Sequence, residues 1–514
     1  MKLSFKGRGF FYLGACLGIA IPAICGRSLA ASDIEYKVTP TPPTATTPAK
    51  TDVAITLHRL KGPTIKLQMP VWSPGDYHVM NHSQYVRAVS AKLVQGGMAL
   101  EVTHTDANTW EVKASGDQDI EVDYSLPNTP PGYFSENVMV KANYAFYNGP
   151  SLYMYLVGGK EKAASLTLHN PEGWKKAFTP LDAGKLNTEQ EIHYEAPDYD
   201  TLADSPVVMG TFETRTFTEV NRPHTIVFFN NYKNVNMDSF PAIYAKVVKE
   251  ENRLMGGPPY KQYAFFIDCG GRGGGLEHLN CHRIAFGSSG NASDAVGMMA
   301  HEFFHLWNVK RIRPFVLGPF DYVNPPKTRN LWFSEGVTSY YAWLCSLRAG
   351  LTTREEFMQG MLDSSLSFRR DPNATKVTVD DSSYRVWEAN NSSGYLINYY
   401  TKGELLGLYL DMKIRILTQG KLSLDNVMRN MMAKYSLPKP GFPEDGIRDE
   451  VIAVAGPAMG PYYDMLARST VEMPFEELFA QFGMRSTAMD LGNIINKSAS
   501  PVAVALREGW LTGK

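Results

Sequence analysis

The sequence predicts an α+β chain: an N-terminal antiparallel β domain, then a domain that starts as sheet and continues as helix. Three observations carry this. From Asp52 to about Tyr199, short runs alternate apolar and polar residues, the period-two signature of half-buried strands, and Gly, Pro, Asn and Asp separate them. After Ser293 the apolar spacing becomes helical and stays so to about residue 482. No internal repeat is visible, so a solenoid or propeller is not expected.

Residues 1–30 read as a targeting segment. Lys2, Lys6 and Arg8 precede an apolar run over 9–25, and Ser28-Leu29-Ala30 offers a small-x-small cleavage site before Ala31. The alternative is an uncleaved anchor, although about 17 apolar residues is short for a membrane span. Cleavage removes Lys2, Lys6, Arg8 and Arg27 and no acid, which takes the net charge from −1 to −5. The expectation is an exported protein, with the bacterial periplasm as the favoured compartment and no membrane span once the signal is cleaved. Export permits disulfides. Cys16 and Cys25 leave with the signal, while Cys269, Cys281 and Cys345 remain. Cys269 and Cys281 could close the glycine-rich stretch between them; three buried thiols is the equal alternative.

The rest follows in order. A short strand over 34–38 precedes a Pro/Thr stretch over 39–49, a linker or loop. Strand patterns at 54–57, 64–67, 110–112 and 120–124 build the β domain, assigned to 31–205. A second strand-rich stretch, 207–286, includes runs at 225–229 and 263–267. Helices are expected at 294–312, stopped by Pro314, then at 331–349, 354–367, 399–417 and 424–434, with 444–482 mostly helical. The second domain is thus assigned to 206–483. Residues 484–514 carry no strong signal and are left as a tail.

Composition narrows the function classes. The chain has 514 residues, 44% hydrophobic and 20% charged, so a mainly disordered chain is excluded. A pI near 6.8 argues against nucleic-acid binding through a broad basic face. Tyr, Phe and Trp number 27, 25 and 8, which predicts an aromatic-rich core.

The decisive segment is His301-Glu302-Phe303-Phe304-His305. On a helix, positions i and i+4 share a face, so both imidazoles can meet one zinc ion while Glu302 handles a proton of the attacking water. Asp294 near the helix start and Lys310, Arg311 and Arg313 at its end suit the helix dipole. A catalytic zinc takes a third protein ligand and keeps an open position. Glu335, in the aromatic setting Leu331-Trp332-Phe333-Ser334-Glu335-Gly336, is the candidate; Asp321, in a loop, is the other acid between His305 and Glu335.

His301 through Pro314, followed by Leu331 through Gly336, resembles the glycyl aminopeptidase family of thermolysin-like zinc metallopeptidases (gluzincins). Pro70-Val71-Trp72-Ser73-Pro74-Gly75-Asp76-Tyr77 resembles that family's N-terminal β-domain signature. Asp204-Ser205-Pro206, Tyr399-Tyr400-Thr401-Lys402-Gly403 and Ser423-Leu424-Asp425 are similar to its later signatures, so the likeness runs from about Ile34 to Gly483. The resemblance implies a thermolysin-like catalytic domain and one zinc per chain held by His301, His305 and Glu335. It also implies peptide substrates with a free N-terminus and a preference for small first residues such as Gly and Ala.

Gly273-Gly274-Gly275-Leu276-Glu277-His278 resembles the substrate strand of the related alanyl aminopeptidases, with His278 in place of Asn. By that likeness the backbone at Gly274 and Gly275 pairs with the peptide, and Glu277 holds the α-ammonium; a flexible glycine loop is the alternative. The same relatives place an oxyanion-stabilising tyrosine at Tyr400, with Tyr399 as its neighbour and fallback. One departure concerns the C-terminus. Members commonly carry a PDZ domain there, whereas 496–514 could be a remnant at most, so PDZ-mediated binding is not expected. Rival functions are a zinc endopeptidase, which shares every zinc residue, and a non-catalytic peptide-binding scaffold. Oligomeric state is not legible.

Overall fold

A computed structural model describes residues 32–513, apart from 61, 115–116, 133, 135–136, 186, 392–396, 488–489 and 497. The targeting segment lies outside the described residues.

The N-terminal part is built from antiparallel sheets. An eight-stranded sheet centres on Ile34–Thr41, Lys50–Leu60 and Gln118–Pro127, and its one parallel pair joins Ile34–Thr41 to Ala164–His169. Two four-stranded sheets pack with it around Val38, Ile55, Leu67, Val122 and Tyr147, all essentially inaccessible to solvent. Alternation along Ile34–Thr41 and Gln118–Pro127 puts every second side chain in this core, as strand pleating requires.

The expected boundary at 205 needs correction. Strand Val207–Gly210 pairs with Tyr144–Tyr147 and Ala177–Phe178, so the first unit runs through Gly210. Its residue Val208 and the neighbouring Phe146 join a small core with Val227, Phe229 and Phe266 from the next sheet, which welds the two units together.

That next sheet has five strands in the order Glu213–Glu219, Arg222–Asn230, Tyr263–Cys269, Cys281–Phe286 and Gly275–Glu277. The three central strands run parallel, and the two outer pairings are antiparallel. A parallel pair needs a crossover. Helix Phe240–Met255 supplies it, in a stretch that reads as strand-rich in sequence. Its buried Phe240, Tyr244, Val247 and Val248 fall at i, i+4, i+7 and i+8, a helical period that the strand-rich reading of 207–286 passed over. Cys269 and Cys281 are free and buried. They pair in register with Phe286 and Ala264, five positions apart along neighbouring strands, so the sulfurs are roughly 16 Å apart and cannot bond.

The helical part follows the sequence closely at Tyr399–Leu417, Leu424–Tyr435 and Arg354–Arg370. Two segments differ. The expected helix over 294–312 is α-helical only for Val296–Phe304, behind a 3-10 turn closed by an Asn291–Asp294 capping box. Beyond it Lys310, Arg311 and Arg313 are not dipole partners: Lys310 pairs with Asp204, while Arg311 donates to the Leu306, Leu279 and Pro259 carbonyls. The expected tail also differs. Helix Pro501–Thr512 seats Trp510 fully in the main core, with its Nε1 donating to Tyr340 Oη at 2.9 Å, and Arg354 grips Glu508 with two bonds. Among the described residues, no helix is long and apolar enough to cross a membrane.

Candidate active site

Helix Val296–Phe304 places His301 and His305 on one face, and His305 caps its end. The next helix begins with a π-helical turn, Trp332–Val337, before Thr338–Arg348. Such wider turns recur at functional sites because they re-aim one side chain. Here the turn carries Glu335 to the histidines. The His305 and His301 Nε2 atoms stand 3.0 Å apart, and Glu335 Oε2 lies 3.2 Å from the first and 3.6 Å from the second. Three donors bound at 2.0–2.2 Å to one tetrahedral zinc stand about 3.3 Å from each other. The observed triangle therefore fits zinc.

The outer ring nitrogens are also engaged. His305 Nδ1 meets the Asn308 carbonyl at 2.7 Å, and His301 Nδ1 meets Ser339 Oγ at 3.2 Å. Ser339 donates its own proton to the Glu335 carbonyl, so its oxygen is free to accept from His301. Both partners favour Nδ1–H, which turns both Nε2 atoms toward the triangle as the ligating positions. Asn308 also donates to the Phe333 carbonyl and Thr338 Oγ1, tying the end of the motif helix to the π-turn. This pull on Asn308 accompanies the early end of the helix at Phe304.

Two further acids, Glu277 and Glu302, face the same space. Strand Gly275–Glu277 forms the edge of the five-stranded sheet, paired only with Cys281–Phe286. Gly275 and Glu277 share a face by strand period. A Cβ at Gly275 would sit 2.3 Å from the Glu302 carboxyl, so only glycine lets the strand pass there. The outer edge of the strand keeps backbone groups available to an added peptide strand. Arg283 supports the loop from below: its Nη1 donates to the Gly274 and Phe134 carbonyls, and its Nη2 pairs with buried Asp268.

The electrostatics favour cations. Glu277, Glu302 and Glu335 are buried around two imidazoles. Glu277 Oε1 and Glu302 Oε2 have no hydrogen-bond partner among the described residues. Burial pushes the Glu277 carboxyl up to about 7 and holds Glu302 well above the ordinary carboxyl range. Burial acts the same way on Glu335, but the His305 and His301 charges outweigh it and draw Glu335 down to about 2. Burial would lower His305 too; instead Glu335 and Glu277 hold it up at about 10. Three buried acids around one cavity call for added positive charge, which a divalent metal and a substrate ammonium would bring.

Tyr400 completes the wall. Its ring lies over His301 at 6.2 Å between centroids, and it lines a cavity of about 380 Å³ with Gly274, Gly275, Glu277, Glu302 and the three donors. Tyr399, its neighbour, is not among the lining residues. Burial keeps the Tyr400 phenol protonated, hence a donor. All eight candidate residues therefore meet at one cavity.

Sequence reading missed several contributors. Tyr77 of the β domain points its hydroxyl at Glu335 Oε1 at 3.4 Å, and Gly75 packs where a Cβ would touch both Glu277 oxygens. The Pro70-to-Tyr77 signature marked the segment but not its target, which lies over 250 positions away. His278, the departure from the relatives' Asn, turns away and bonds Asp204 at 2.9 Å. Asp204 also accepts from Lys310 and from the Leu279 amide, so the Asp204-Ser205-Pro206 signature is a buried hub beside strand Gly275–Glu277.

Solved structures share this fold. A crystal structure of an aminopeptidase N family protein from Idiomarina loihiensis superposes with a TM-score of 0.80 at 23% identity, over 88% of this chain and 78% of that one. An M1 zinc metallopeptidase from Deinococcus radiodurans gives 0.57 at 12% identity, over 86% and 95%. Native yeast LTA4 hydrolase gives 0.53 at 12%, over 86% and 69%. At these identities the likeness is one of fold. Among curated proteins, none matches. The Peptidase M61 N-terminal domain matches residues 35–211, reaching the same limit as the β sheets, and the M61 glycyl aminopeptidase domain matches residues 294–406, from the capping box through Tyr400. Together the two matches span more than half of the chain, and the chain belongs to the M61 glycyl aminopeptidase family of zinc metallopeptidases.

Proposed function

We propose that this aminopeptidase is exported and removes small N-terminal residues, Gly and Ala, from peptides, with one zinc per chain held by His301, His305 and Glu335. The observation that carries the reading is the pairing of the 3.0–3.6 Å donor triangle with a buried acid, Glu277, whose Oε1 has no hydrogen-bond partner among the described residues, in one cavity. Zinc bound there supplies a Lewis acid and a nucleophilic water at neutral pH. Glu277 receives the α-ammonium, which limits cleavage to the first peptide bond. Gly274 and Gly275 align the backbone. Glu302, short of partners and raised in basicity, takes a proton from the attacking water and returns it to the leaving amine. The Tyr400 hydroxyl donates to the developing oxyanion. The close approach of Gly75 to Glu277 leaves little room beside the ammonium, which supports a small first residue. The basic, apolar and small-residue order of residues 1–30 supports export.

The test is hydrolysis of Gly- and Ala-p-nitroanilide beside their N-acetyl forms and a Leu analogue. Free-amine Gly and Ala substrates should be cleaved, with loss on chelation and return with zinc. Equal cleavage of acetylated substrates would instead indicate an endopeptidase, and faster Leu turnover would overturn the size preference. Retention of the signal on the protein recovered from its native host would count against export with cleavage.

A further inference from the structure

The active-site cavity has a second end that the steps above do not use. Its sheet side is Gly274, Gly275 and Glu277; its helix side is Met298, Ala342, Trp343 and Glu404. Glu404 lies one turn after Tyr400 on helix Tyr399–Leu417, so both project from the same face. It is only 7% exposed. Among the described residues its one hydrogen bond comes from Ser364 Oγ on helix Arg354–Arg370, at 2.8 Å to Oε1. No ion pair to it exists among the described residues. The nearby Lys402 turns elsewhere, toward the Ser469 carbonyl and the Phe368 ring.

A carboxyl that is nine-tenths buried, lines a substrate cavity and lacks a cation is an incomplete pair. Its surroundings indicate the shape of the missing half. A Cβ on Gly360 would lie 2.9 Å from the Trp343 ring, and Ser364, one turn later on the same helix, holds Glu404. Trp343 and Glu404 therefore stand side by side along that helix. Trp343 and Met298 are each about a third exposed, large apolar groups facing open space. Apolar walls that end at a carboxylate suit a long aliphatic stem with a cationic head. An indole beside the carboxylate adds a cation–π surface.

Direction follows from the reading above, on which this inference rests. Glu277 holds the amine on the sheet side, and the scissile carbonyl sits between Glu302 and Tyr400. The chain leaving that point runs toward the helix side. We propose that Glu404 is a specificity-determining residue that binds the cationic side chain of lysine or arginine in the residue following the scissile bond, with Trp343 and Met298 flanking its stem. Burial lifts the empty carboxyl to about 7; an arriving cation would favour its charged form.

The test uses the zinc-loaded enzyme and the peptides Ala-X-Ala-amide, with X as lysine, norleucine or glutamate. Norleucine keeps the stem and omits the ammonium. The wild-type kcat/KM should favour lysine over norleucine by about tenfold or more, the scale of one charge-assisted hydrogen bond. In Glu404→Gln that ratio should fall toward one, and in Glu404→Lys glutamate should overtake lysine. Ratios within one enzyme are independent of how much of a variant folds. A wild-type ratio near one overturns the proposal, as does a ratio that Glu404→Gln leaves intact. Ala-p-nitroanilide carries no following amino acid and separates the two levels. If it is cleaved while the lysine preference is absent, only the role of Glu404 falls. If neither it nor any peptide is cleaved, the aminopeptidase reading falls and this inference with it.

Discussion

Tyr399 and Tyr400 are adjacent, chemically identical and buried to a similar degree, yet only Tyr400 lines the cavity and stacks over His301. In the proposed reaction its hydroxyl binds the oxyanion and not the ground-state carbonyl, so its removal should lower kcat and leave KM little changed. Tyr400→Phe is expected to lose roughly 100- to 1,000-fold in kcat, the range for one oxyanion donor, whereas Tyr399→Phe should lose far less. Steady-state kinetics on Ala-p-nitroanilide with zinc content measured alongside decides it. Similar losses in both variants would mean that the phenol pair acts through packing. The choice of Tyr400 over Tyr399 comes from the resemblance to the alanyl aminopeptidases, whose tyrosine stands two positions before a Lys-Gly pair; spacing and composition alone favour neither. Ser339, Asn308 and Tyr77 were not legible: a hydroxyl or amide that orients a ligand has no local signature, only a partner brought by folding.

At the scale of elements, the substrate strand is the exacting piece. Gly275 passes directly against Glu302, and an added Cβ would overlap its carboxyl at 2.3 Å. Gly275→Ala should therefore displace the strand or Glu302 and reduce kcat/KM by about 100-fold or more, in keeping with the cost of a 1 Å misplacement, while zinc binding persists. Zinc titration and turnover measured together test this; a fully active Gly275→Ala protein would remove the strand from the site. A second element is the Pro70-to-Tyr77 loop, which brings Gly75 and Tyr77 to the acids. Beneath it His82 is buried, with Nδ1 unpartnered and only a long 3.5 Å contact to Ser73. Burial pushes its pKa down to about 3. A base with a lowered folded pKa takes up its proton on unfolding, so it favours the unfolded chain as pH falls below about 6.5 and continues to do so down to about 3. Between pH 7 and pH 5 this one group should cost about 2 kcal/mol of stability. Urea unfolding at the two pH values should show a smaller difference for His82→Phe than for the wild type; an equal difference would show that His82 is not responsible.

Across the whole molecule, the catalytic cavity depends on parts far apart in sequence. The β domain supplies Gly75, Tyr77 and Phe134, and the small core around Phe146, Phe229 and Phe266 holds it to the catalytic sheet. Helix Pro501–Thr512 does not line that cavity but packs into the main core of the helical part. Trp510 is fully buried beside Phe357 and Phe482 and donates to Tyr340, which in turn donates to Asp411. Trp510→Ala should cost about 3–5 kcal/mol, as for large aromatic truncations in cores, while leaving the spacing of the zinc donors alone. Denaturant unfolding measures the first and zinc affinity the second. A loss under 1 kcal/mol would mean that the last helix is an appendage.

Local chemistry explains what was legible along the chain: the α+β order, five catalytic-domain helices near their observed places, one of them the His-Glu-x-x-His helix, and a candidate acid on the next. Each of these rests on periods of 2 or 3.6 residues, or on ligands spaced one helical turn apart, and such patterns are complete within a short window. Tertiary structure alone decided the rest. It ended the motif helix at Phe304, where Asn308 is drawn to Phe333 and Thr338. It laid helix Phe240–Met255 on the catalytic-domain sheet, with Phe240 against Phe228 and Tyr244 against Phe265. It gave Asp204 a structural task beside the substrate strand and set Glu404 beside Trp343. Those outcomes depend on which group meets which across the fold, and burial makes each meeting strong because water no longer competes for it.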